Sequence, residues 1–135
     1  MTRVIRVRPG QTPGNVWVGW RYGEGVVGWS WADNSTRSID YGDLALSTVA
    51  DEAAFHALPS DKKLEMKYED FVISVRGFRA VWASPIQARD HAPVGVLSLN
   101  IDRVTGIPWP ALKSLGERAV ETMARRSEYM LGLRP

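Results

Sequence analysis

Two long apolar stretches follow one another in the second half of this chain, and they limit its architecture more than any other feature. Phe78 to Ile86 and Val94 to Asp102 are separated by a short polar connection that includes Arg89, Asp90, His91, Ala92 and Pro93. In the first stretch, Phe78, Ala80, Trp82 and Ser84 alternate with Val81 and Ala83, a period of two that reads as a strand. The second stretch is nearly all apolar, which predicts a central strand covered on both faces. The connection supplies the turn. A chain with such a pair of strands must put other elements on the sheet to cover it.

The rest of the chain provides those elements. Residues 2–8 alternate, with Ile5 and Val7 on one side and Arg6 and Arg8 on the other, and predict a half-buried strand. Pro9, Gly10, Pro13, Gly14 and Asn15 form a loop, and Val16, Val18 and Trp20 begin a second alternating segment over 16–21. In residues 23–34 the glycines weaken a helix, yet Val27 and Trp31 stand four apart on one helical face. Thr36 to Asp40 is a short strand. Leu46, Val49, Ala50, Ala53 and Ala54 recur at helical spacing until Pro59. Ser60-Asp61 opens a further short helix, and Gly77 reads as a C-terminal cap after Val72 and Val75. Pro108 and Pro110 open a long C-terminal helix with the stripe Leu112, Leu115, Ala119, Met123 and Met130. Glu121 and Arg125 are spaced to pair on its exposed side. The expectation is an α+β domain over residues 1–135, with about five antiparallel strands and flanking helices.

Composition removes several functions. The 135 residues include no cysteine. Disulfides, thiolate nucleophiles, zinc–sulfur sites and thioether-linked chromophores therefore need no further consideration. No apolar run reaches the length of a membrane span and no signal core opens the chain, so the expected setting is cytoplasmic, away from membrane. Net charge is +2. Arg3, Arg6, Arg8 and Arg21 precede the first acidic residue, Glu24, but no lysine–arginine cluster with interleaved aromatics accompanies them. A charged edge strand explains them better than a nucleic-acid partner does.

Catalytic and metal constellations are equally thin. His56 and His91 are too far apart in sequence to suggest a metal site. His91 lies in a charged turn. His56, beside Phe55 at a helix end, could touch a ligand, although a histidine favoured by the helix dipole is the commoner case. Asp33, Asp40, Asp43, Asp51 and Glu52 could supply acid–base pairs, but turn or cap roles account for Asp33 and Asp43, and a solvated helix face for Asp51 and Glu52. No glycine-flanked nucleophile elbow is present. The glycines at 23–28 have no lysine after them and do not form a phosphate loop. Six tryptophans, Trp17, Trp20, Trp29, Trp31, Trp82 and Trp109, are many for this length. Most should pack the core, with a stacking wall for a planar ligand as the alternative.

Two segments together resemble the GAF family. Gly23-Glu24-Gly25-Val26-Val27-Gly28-Trp29 is similar to the glycine-spaced turn and short helix after the family's second strand. Ser84-Pro85-Ile86, a polar turn, and Val94-Gly95-Val96-Leu97-Ser98-Leu99-Asn100-Ile101-Asp102 resemble its later strand pair. The match spans roughly residues 2–133. It implies that 23–34 is helical, that one sheet face carries a ligand pocket, and that Tyr41 to Arg76 covers it as a lid. The helix that usually precedes the family's first strand is not evident here. Neither is the Asn-Lys-Phe-Asp-Glu signature of the cyclic-nucleotide binders.

The resemblance and the residue chemistry together single out a ligand site. Trp82 supplies an apolar wall and Ser84 a hydroxyl from one strand face. Trp31 comes from the short helix, and Asp40 and Tyr41 from the lid's hinge. Phe55 and His56 come from the lid, and Arg76 near its exit could meet an anionic group. The implied function is a non-enzymatic, small-molecule-sensing regulatory domain in signal transduction or transcription. The ligand is unspecified and no cofactor or metal is assigned. The alternative is an interaction module that kept the fold without the ligand, and an enzyme is the third reading. A homodimer is expected, because the stripe on the last helix lacks its usual helical neighbour.

Overall fold

The computed structural model describes residues 21–42, 51–87, 92–102 and 107–130. The strands expected over 2–8 and 16–21 lie outside this set, Arg21 excepted, as do Trp17, Trp20 and His91. The described elements run α1 (Gly25–Ala32), β1 (Arg37–Asp40), α2 (Glu52–Ala57), α3 (Ser60–Lys63), α4 (Tyr68–Gly77), β2 (Phe78–Gln87), β3 (Pro93–Asp102) and α5 (Trp109–Met130). The class is α+β, with a three-stranded antiparallel sheet in the order β1-β2-β3. Among the described residues, no helix is long and apolar enough to cross a membrane.

Local chemistry accounts for most element boundaries. Gly23 and Gly25 take positive φ values of 77° and 65°, which glycine adopts without steric cost, and the turn they make opens α1. Among the described residues, the helix expected from Leu44 begins at Glu52, where the Asp51 carboxylate accepts from the Ala54 N–H at 2.8 Å. Pro110 sits in the first turn of α5, where its missing N–H costs nothing. Glu121 and Arg125 do pair along α5. Gly77 is not a left-handed stop. It is the last residue of α4, and the chain turns directly into β2 as the Phe78 N–H donates to the Ser74 carbonyl.

Within the described sheet, the strand with a neighbour on each side is not the one expected to be central. β2, not β3, lies between two neighbours in the described sheet, and Ala80 to Pro85 are buried without interruption. β3 pairs with β2 along its whole length but is mostly half-buried: Val94 is 46% exposed, and Ile101 is its buried residue at 2%.

Each face of the sheet has its own core. On one, Val81 and Ala83 of β2 and Ile39 of β1 pack with Val26, Phe55, Phe71 and Val75, so α1, α2 and α4 share this side. On the other, Ala80 and Ile101 meet Leu112 of α5, with Leu99 and Trp109 at the margin. A register shift between Phe78 and Ala80 changes the alternation at the start of β2. Phe78 therefore packs toward the Phe55 side while Ala80 points toward α5, so the common face expected for Phe78, Ala80, Trp82 and Ser84 is broken at its first member.

Candidate functional site

The residues expected to line a pocket fall on different sides of the sheet. Trp82 is 1% exposed and packs against Gly116, so it faces α5 and not the helices between β1 and β2. Ser84, on the same alternation, is buried, and its hydroxyl lies 2.8 Å from that of Thr36. Phe55 and Tyr41 are buried on the opposite side. Trp31 is half-buried on α1, while His56 and Arg76 are exposed. The His56 imidazole lies 3.6 Å from the Glu52 carboxylate one turn away on α2. Asp40 ends β1, and its carboxylate accepts from the Gly42 N–H at 2.7 Å.

The volume beneath α2 and α4 is occupied by side chains. Phe71 is fully buried, with its ring 5.1 Å from that of Phe55 and 5.9 Å, edge-on, from that of Tyr41. Tyr68 adds a ring 5.7 Å from Phe55. These are the offset and edge-to-face distances at which aromatic pairs attract. Burial also pushes the Tyr41 phenol well above its ordinary pKa, so it stays neutral. The segment from Tyr41 to Arg76 thus covers a sheet face, but its described aromatic rings fill the space over that face.

The glycine-spaced turn has a packing role. A Cβ on Gly28 would stand 2.2 Å from the Arg21 carbonyl oxygen, so only glycine lets the turn close on the helix. The Gly23 N–H donates to the Gly28 carbonyl at 3.1 Å, and the Gly25 N–H donates to the Leu64 carbonyl at 2.8 Å. This second bond ties the start of α1 to the turn after α3. That turn is unusual: Leu64 and Glu65 both adopt left-handed φ values, 53° and 54°.

A groove of about 300 Å³ opens where α1, β1 and α3 meet. Val26, Trp29, Ile39 and Leu64 give it an apolar lining. Its polar groups are Arg37, Ser38 and Asp40 from β1 and Asp61 and Lys62 from α3. Of the residues expected in a site, Asp40 alone lines it. All of β1, the outer strand of the described sheet, contributes to one wall of the groove. The Arg37 guanidinium is oriented by an ion pair with Asp33 and lies 5.7 Å over the Trp29 ring. Lys62 and Asp61 carry no ion pair among the described residues. Among the described residues, no cluster of histidines and carboxylates could hold a metal.

Sequence reading did not find this groove. Val26 and Trp29 stand three apart and so share a helical face. In the sequence, Asp61 reads only as part of a helix start. Nothing local announces that α3 stands across from β1, because the left-handed turn at Leu64 and Glu65 that positions it carries no glycine. Comparison with family models, curated proteins and solved structures finds no match to this chain.

Proposed function

We propose that this chain is a regulatory domain of the GAF type that binds a small molecule without transforming it. The groove between α1, β1 and α3 carries this reading: Val26, Trp29, Ile39 and Leu64 stand beside five polar or charged side chains around about 300 Å³, which suits a small, largely polar occupant. The order of elements supports the family: a short helix after a glycine turn, a strand, helices, two paired strands and a long last helix. The non-enzymatic part rests on the exposure of His56 and on the groove's acids: Asp61 is exposed, Asp40 is half-buried, and neither is in an ion pair among the described residues. The cysteine-free composition suits a cytoplasmic setting.

A metabolite screen by thermal shift tests the proposal. A compound at one hundred times its dissociation constant adds about 2.7 kcal/mol to the stability of a protein that binds it only when folded. A saturable hit whose effect is lost on blocking the groove, for example in Ser38→Trp, is the expected result. A screen with no saturable hit would refute it.

A second reading, an interaction module of the same fold, is supported by the aromatic filling of Phe55, Tyr68, Phe71 and Tyr41 beneath the helices. A homodimer belongs to both readings. Leu115 and Met123, two turns apart on α5, are 51% and 42% exposed, an apolar strip that a second helix would cover. Sedimentation at high micromolar concentration should give a dimer, and Met123→Glu with Leu115→Glu should give a monomer. A monomeric wild-type chain at that concentration would remove the homodimer from the proposal.

A further inference from the structure

The charges around the groove specify the class of ligand, given the reading that the groove is a small-molecule site. Two cations, Arg37 and Lys62, and two carboxylates, Asp40 and Asp61, line the same opening. They come in two pairs of adjacent or near neighbours, one on β1 and one on α3, so both walls carry both signs. An anion such as a phosphate monoester would face Asp40 and Asp61 on entering. A polyamine would face Arg37 and Lys62. A neutral apolar molecule would desolvate Lys62 and Asp61 without a partner for either. A molecule with a cationic and an anionic end separated by a small apolar body avoids all of these costs.

We infer that the groove binds a zwitterion of free α-amino acid size, its carboxylate directed to Lys62 and its ammonium to the carboxylate of Asp61 or Asp40. Size points the same way. A groove of about 300 Å³ has room for a single amino acid. Arg37 is partly neutralised by Asp33 and held over Trp29, so it shapes the wall. Lys62 has no competing ion pair among the described residues and is the free cation of the site. The apolar side chain of the ligand lies against Val26, Trp29 and Leu64.

The test uses the full chain and defined probes. Each standard α-amino acid, its N-acetyl methylamide, inorganic phosphate and adenosine monophosphate are titrated by thermal shift and calorimetry. The expected result is saturable binding of at least one free amino acid, with affinity lost when either end is blocked. Lys62→Ala should weaken that binding by about tenfold or more, the loss expected for one charge-assisted hydrogen bond, with Lys62→Arg restoring part of it and the ligand-free melting temperature unchanged. Binding of the blocked compounds, phosphate or the nucleotide in place of the free acids overturns the zwitterion and leaves the sensor reading standing. Amino-acid binding that Lys62→Ala and Asp61→Ala both leave unchanged overturns the assignment to this groove. Silence from this panel, with hits elsewhere in a metabolite screen, overturns the ligand class alone. Silence from both removes the sensor reading as well.

Discussion

Gly116 of α5 lies against the indole of Trp82, so closely that a Cβ at position 116 would stand 2.7 to 2.9 Å from three atoms of its six-membered ring. The ring is 1% exposed and has no space to retreat into. A hydrogen atom at Gly116 therefore sets the distance between α5 and the sheet. Gly116→Ala should destabilise the fold by about 1–2 kcal/mol, since overpacking costs roughly 1–3 kcal/mol and alanine recovers roughly 0.5–1 through helix propensity. Urea unfolding measures this directly. A Gly116→Ala chain as stable as the wild type would mean that α5 does not sit on Trp82.

Phe71 is the centre of the aromatic group on the other face, touching Phe55 and Tyr41 and fully buried. Phe71→Ala should cost about 3–5 kcal/mol, because it removes a large side chain and leaves a cavity between rigid rings. A loss under 1 kcal/mol in chemical denaturation would show that the helices do not press on the sheet there.

The two ends of β3 should respond differently to truncation. Ile101 is 2% exposed between Ala80 and Leu112, while Leu97 is half-buried. Ile101→Ala should cost about 2–5 kcal/mol and Leu97→Ala roughly half of that or less, in proportion to the contacts each loses. Equal large losses at both positions would restore a β3 buried along its whole length.

Glu65 is exposed and left-handed, with φ at 54°. Glu65→Gly should stabilise the fold by about 0.5–1 kcal/mol: it removes a left-handed penalty of roughly 1–2 kcal/mol and adds glycine's entropic cost of roughly 0.5–1. The amide of Gly25, bonded to the Leu64 carbonyl, should then exchange more slowly with deuterium. Destabilisation by 1 kcal/mol or more would show that the turn is not left-handed at this residue.

Much of the described secondary structure was legible in the residues, because its causes are local. Pro110 marks the first turn of α5, and Glu121 pairs with Arg125 along it; Asp51, expected on a solvated helix face, instead caps α2. Alternation and apolar content marked β2 and β3. What could not be read was which face of β2 meets which helix. The periodicity groups Trp82 with Ser84 and Val81 with Ala83, but it is symmetric between the two sides. A site built on Trp82 and Phe55 together required them to share one side, and they do not.

The residue order by itself determined that this chain pairs two apolar strands, that a glycine turn opens a short helix, and that an amphipathic helix closes the described part. Each of these follows from interactions within a few positions of one another. Only the tertiary structure decided that α5 covers Trp82 while α1, α2 and α4 cover Val81 and Ala83, and that α3 stands beside β1 to form a groove. The physical reason is that alternation along β2 is symmetric between the two sides until helices pack on it, and that α3 is placed by a left-handed pair at Leu64 and Glu65. Neither Leu nor Glu favours such a backbone, so packing of the whole imposes it.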